Sequence, residues 1–131
     1  MNLLIIDQGG TCLDLALRAQ AFGHKVRAYI RHNKDGSRSE VGDGMIERVP
    51  HWENHMNWAD LIFVTDNNFY IAALDNYKNK GYPIFGCDRE AQQWEQDREY
   101  GDMIMKKAGI QTIPVTKFKN YDEAIQFVIK N

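Results

Sequence analysis

The chain has 131 residues, 44% of them hydrophobic and 26% charged, with a formal net charge of −2. That length supports one domain, residues 1–131, with its own buried core, and the charge balance offers no basic footprint for nucleic acid. No apolar run approaches the roughly 18 residues a membrane-spanning helix needs, so neither nucleic acid nor a membrane is an expected partner.

Residues 3–6 are purely apolar and end in Asp7, the pattern of a strand buried on both faces of a parallel sheet. Gln8-Gly9-Gly10-Thr11 follows, then a helical stretch from about Cys12 to Phe22, with Leu13, Ala16, Leu17 and Ala21 on one face and Gly23 as a stop. Residues 26–30 read as a second strand, which completes a βαβ unit with a right-handed crossover. Residues 31–44 are almost free of apolar side chains and form a long loop, a place to look for function or mobility. A short strand is predicted at 45–49, a short helix or turn at 52–58, a strand at 61–65 and a helix at 69–79. A strand follows at 83–86, then a long helix over 90–108 with a break near Gly101. Residues 112–118 read as a last strand and 121–129 as a last helix. Strands alternating with helices predict an α/β fold, an open, mostly parallel Rossmann-like sheet with helices on both faces.

In such sheets ligands sit beyond the carboxyl ends of the strands. The turn at Gly9 and Gly10 lies there, just ahead of a helix whose N-terminus offers free N–H groups and partial positive charge to an anion. Thr11 can cap that helix or add a hydroxyl donor. The same glycines also serve a turn that binds nothing. As a dinucleotide signature the run is incomplete. Gly9 and Gly10 are adjacent and followed by Thr11-Cys12-Leu13, which is not G-x-G-x-x-G, and the end of the second strand carries Arg31 where an acid would hold a ribose. Arg31 is instead suited to a phosphate, within a basic cluster of Arg31, His32, Lys34 and Arg38. Asp66-Asn67-Asn68 follows a strand end, where a polar turn either meets substrate or caps the next helix.

His51 and His55, four residues apart, would share a helix face, but with only Glu53 between them they make no zinc set, and no metal is expected. Cys12 stands at a helix start, which lowers a thiol pKa, yet without a neighbouring histidine it reads as a packed core residue. Trp52, Trp58 and Trp94 read as core or interface residues. No catalytic motif is present: no Walker lysine, paired acids or serine elbow. The first seven residues carry no basic region or cleavage site, and Cys12 and Cys87 fit no C-x-x-C pattern. A cytoplasmic chain with reduced thiols is the expectation.

Two stretches carry a resemblance to a family. One is Leu3-Leu4-Ile5-Ile6-Asp7-Gln8-Gly9-Gly10. The other runs from Gly81-Tyr82-Pro83-Ile84-Phe85-Gly86 through Asp97-Arg98-Glu99-Tyr100 and Lys107-Ala108-Gly109-Ile110-Gln111-Thr112 to Tyr121-Asp122-Glu123-Ala124. In order and spacing they resemble the N-terminal (pre-ATP-grasp) domain of glycinamide ribonucleotide synthetase, or phosphoribosylamine–glycine ligase, an ATP-grasp ligase. The resemblance carries over to Gly9, Gly10 and, as a pocket-edge residue, Gly86. The chain departs from the family at Thr11-Cys12-Leu13, where the family has Arg-Glu-His, and at Thr65-Asp66-Asn67, where it has Gly-Pro-Glu. It departs again at Cys87 and at Asp97-Arg98.

The resemblance implies a substrate-side domain of an ATP-dependent carboxylate–amine ligase of purine biosynthesis, binding a small phosphorylated or carboxylated ligand. ATP and magnesium are implied only with further ATP-grasp subdomains, so no cofactor and no catalytic residue are expected in this chain. It is then either part of a longer ligase or a stand-alone, non-catalytic binding or interaction module that kept the fold, with a homodimer among the forms open to it. A nucleotide-binding Rossmann domain of another kind is a third reading, and fold by itself does not choose among them.

Overall fold

A computed structural model describes the whole chain, Met1–Asn131. Five parallel strands form one sheet in the order β3-β2-β1-β4-β5: β1 (Asn2–Asp7), β2 (Lys25–Ile30), β3 (Glu47–Arg48), β4 (Leu61–Val64) and β5 (Ile84–Phe85). β1 is central. Its Ile5 stands opposite Ala28 of β2 on one side and Phe63 of β4 on the other. The helices are α1 (Leu13–Ala21), α2 (Ile71–Asn79), α3 (Arg89–Gln96), α4 (Arg98–Lys107) and α5 (Tyr121–Lys130), with a 3-10 helix at Trp52–Trp58.

The apolar run of β1 needs cover on both faces because successive side chains point to opposite sides of a sheet. Leu3 and Ile5 pack on one face with Cys12 and Ala16 from the α1 side, Val26, Ala28 and Ile30 of β2, and Ile46. Leu4 and Ile6 pack on the other with Ile62 and Val64 of β4, Leu74 of α2, and Trp52 and Met56 of the 3-10 helix. Leu4, Ile5 and Ile6 are completely buried. The fold is therefore α/β, Rossmann-like, with helices on both faces.

Several elements differ from the sequence reading. The strand expected at 45–49 contracts to Glu47–Arg48, with Val49 adding one further N–H bond to the Ala28 carbonyl. Residues 112–118 form no strand; Ile113 and Val115 are exposed, and no backbone hydrogen bond ties the segment into a ladder. The long helix breaks at Asp97, not near Gly101. Asp97 takes an extended backbone, and its carboxylate accepts the N–H groups of Glu99 and Tyr100, which starts α4 afresh. Gly101 lies inside α4, where a Cβ would come within 2.2 Å of the Trp94 carbonyl oxygen; it is the point at which α4 meets α3. His51 precedes the 3-10 helix in extended backbone, so it shares no helix face with His55, whose Nδ1 sits 3.2 Å from Arg27. Trp52 is buried and Trp58 half-buried beneath Arg27, whereas Trp94 is exposed. No helix is long and apolar enough to cross a membrane.

Candidate functional site

The strand order reverses direction between β1 and β4: the chain moves outward from β1 to β2 and β3, then returns to β4 and β5. At such a switch point the connections leave in opposite directions and a crevice opens at the carboxyl ends. Here a cavity of about 420 Å³ lies in that position, lined by Asp7, Gln8, Gly9 and Thr11 after β1, by 31–34 after β2 and by Thr65, Asp66 and Asn67 after β4. None of its lining residues is hydrophobic.

Asp7 organises this rim. It is 1% exposed, and its Oδ1 accepts the Gly9 N–H at 3.0 Å, the Thr11 hydroxyl at 3.3 Å and the Thr65 hydroxyl at 2.9 Å. Its Oδ2 accepts the Cys12 N–H at 2.7 Å. One carboxylate thus ties the glycine turn, the start of α1 and the end of β4 together. Burial pushes its pKa up, but the hydrogen bonds from Cys12, Gly9 and Thr65 outweigh that and hold it below the usual carboxylate range. Thr11 does not cap α1, the other role its sequence position suggested; its hydroxyl turns to Asp7, whose carboxylate also accepts the amide of the N-cap residue Cys12.

The Cys12 thiol, 2% exposed, is pushed up to about 12 by burial and by the adjacent Asp7 carboxylate. The helix-start effect that would lower it is overridden, because Asp7 already supplies a negative charge there. Cys12 packs in the core, as its sequence context indicated.

Of the residues singled out from sequence, Gly9, Thr11, Arg31, Asp66 and Asn67 meet in this cavity, joined by His32 and Lys34 of the basic cluster. Arg38 turns away to pair with Asp43. Gly10 is absent from the lining. Its φ of +83° and the approach of Val41, whose Cγ1 would be 2.7 Å from a Cβ at that position, explain the glycine as a packing requirement. Gly86 lies in a neighbouring cavity with Val64, Ile84, Phe85 and Cys87, which shares Thr65, Asp66 and Asn67 with the first. Its carbonyl, like that of Cys87, accepts from the Lys78 ammonium. Both readings of the Asp66 turn hold in part: the carboxylate accepts the Phe69 N–H, and the residue also lines the cavity. Asn67 reaches across to Glu95 of α3.

Asp7 and Thr65 were not candidates from sequence. An acid closing an apolar strand directly before two glycines is the signal that points to Asp7. Thr65 acquires its role only through a partner 58 positions away.

Arg31 is the cavity's principal cation. Its guanidinium lies 3.8 Å over the Phe69 ring, and its N–H bonds to the Asp7 carbonyl, which fixes the base of the side chain. None of the chain's ion pairs uses Arg31, His32 or Lys34. No group of three or more His, Cys, Asp or Glu side chains is placed to hold a metal ion, and the cavity's two carboxylates, Asp7 and Asp66, are engaged with protein donors. The residues present thus do not fit a magnesium site.

No family model matches the chain. Among curated proteins it is similar to phosphoribosylamine–glycine ligase of Halalkalibacterium halodurans, 26% identical over 133 residues, which cover 98% of this chain and 31% of that protein. The phosphoribosylamine–glycine ligase of Streptococcus suis is 24% identical over 137 residues, with 98% and 32% covered. Among solved structures, N5-carboxyaminoimidazole synthetase from Staphylococcus aureus, complexed with ADP, superposes with a TM-score of 0.67 at 24% identity, over 96% of this chain and 36% of that one. N5-carboxyaminoimidazole ribonucleotide synthetase from Thermotoga maritima gives a TM-score of 0.61 at 19% identity, over 95% and 35%. The chain spans about a third of the length of the curated relatives it matches. Over nearly its whole length it is similar to one domain's worth of the phosphoribosylamine–glycine ligases, fitting their N-terminal domain.

Proposed function

We propose that this chain is the substrate-side domain of an ATP-dependent carboxylate–amine ligase resembling phosphoribosylamine–glycine ligase, of purine biosynthesis, and that it holds a small phosphorylated or carboxylated ligand in the rim cavity. The observation that carries this reading is a crevice at the switch point of the sheet, lined by no hydrophobic residue, with an arginine in its wall that no ion pair uses. Similarity to the ligases over 98% of the chain supports it. The domain's contribution is positioning: a ligand held in one orientation at the strand ends meets its reaction partner with translational and rotational entropy already lost. ATP and magnesium belong to further subdomains of such a ligase, so this chain acts on binding and orientation and not on phosphoryl transfer.

Calorimetric titration with ribose 5-phosphate and with glycine tests the proposal, paired with amide chemical shifts. Saturable binding that perturbs Thr11, Arg31, Asp66 and Asn67 is the expected result. Absence of binding by either ligand at millimolar concentration defeats it.

A further inference from the structure

We infer that Asp7 is a specificity-determining residue: its buried carboxylate occupies the glycine turn as an internal anion and directs an anionic ligand to the basic segment of Arg31, His32 and Lys34 in the rim cavity. This rests on the proposed function, since it concerns how the same cavity holds the anionic part of its ligand.

A glycine turn ahead of a helix ordinarily offers its backbone N–H groups to an incoming anion. In this chain those donors are taken. The Gly9 N–H points to Asp7 Oδ1 and the Cys12 N–H to Asp7 Oδ2, so the two oxygens span the turn as two oxygens of a bound phosphate would. The Thr11 and Thr65 hydroxyls, the nearest side-chain donors, are also directed at Oδ1. A second anion placed here would lose these donors to Asp7 and face its charge at close range in a site sheltered from water.

At the end of β2 the situation is reversed. Arg31, His32 and Lys34 directly follow β2, none engaged in an ion pair, and the Arg31 plane is braced on Phe69 with its donors free. The rim therefore holds a glycine turn whose donors Asp7 already takes, beside a basic segment at 31–34 that no carboxylate of the protein pairs. The anionic group of a ligand is accordingly directed to Arg31 and its basic neighbours, away from the Gly9 and Cys12 amides.

Inorganic phosphate titrated into the full chain, with amide shifts followed, tests this. In the wild type, shifts concentrate at Arg31, His32 and Lys34 while Gly9 and Cys12 stay still, and Arg31→Gln weakens phosphate by about tenfold, the loss of one charge-assisted contact. Asp7→Asn removes the charge with little change of shape, and Asp7→Ala also vacates both amides. Each binds phosphate about tenfold more tightly than wild type, with Gly9 and Cys12 now responding. A merely structural role for Asp7 would produce no such gain. Wild-type Gly9 and Cys12 amides moving as far as those of 31–34, or folded Asp7 variants binding no more tightly, overturns the inference. If neither Asp7 variant folds, the wild-type shift map and Arg31→Gln decide it. Phosphate binding at the turn overturns this inference alone, whereas phosphate binding nowhere overturns it together with the functional reading.

Discussion

The two adjacent glycines of the rim have different work, and neither role is readable from the pair. Gly9 lines the cavity and has nothing within 4 Å of the place where a Cβ would stand. Gly10 faces away, in the left-handed backbone region, with Val41 pressed against it. Gly10→Ala is expected to cost about 1–3 kcal/mol, from a strained φ and an overpacked contact. Gly9→Ala is expected to stay within about 0.5 kcal/mol, since it meets open space. Urea denaturation of both variants checks the pair; equal losses would contradict it. Asp7 shows the same limit of sequence reading from the other side. Its position at the end of an apolar strand was plain, but its four donors come from the turn, the start of α1 and the end of β4, and only folding brings these together.

Among the elements, those with strong local signals were legible before any coordinates. Residues 3–6, 26–30 and 61–64 are apolar or alternating runs bounded by polar turns, and they are the three central strands. The 112–118 strand failed because alternation describes a residue's neighbours in sequence, whereas a strand exists only where another strand offers its hydrogen bonds. The break at Asp97 was missed for a related reason. Gly101 is the weaker helix former, yet the chain turns where a side chain can cap the new N-terminus, and Gly101 is spent on the contact with Trp94. Asp97→Ala should remove about 1 kcal/mol from α4. The expected signature is faster amide hydrogen exchange in residues 98–103 with little change at β1; unchanged exchange in α4 would show that the cap is dispensable.

At the scale of the whole molecule, burial is concentrated in the first two-thirds of the chain. The two apolar clusters on either face of the sheet draw only on residues before 90, while Ile125, Val128 and Ile129 of α5 are 53%, 74% and 72% exposed. Stability should follow that division. Ile5→Ala leaves a cavity among fully packed neighbours and is expected to cost about 2–5 kcal/mol, whereas Ile129→Ala should cost no more than about 0.5 kcal/mol. Thermal or chemical unfolding of the two variants separates them, and a large loss from Ile129→Ala would mean that α5 is covered in solution. What the sequence determined alone is what depends on near neighbours: the apolar runs, the helix stops, the glycine turn beside the first helix, and hence an α/β fold with its ligand crevice at the strand ends. What the tertiary structure decided is which of those polar groups remain free to meet a ligand. A donor's availability depends on acceptors brought to it by strand order, and here the β1–β4 pairing and the Cys12 amide bond commit the turn to Asp7 and leave Arg31 open.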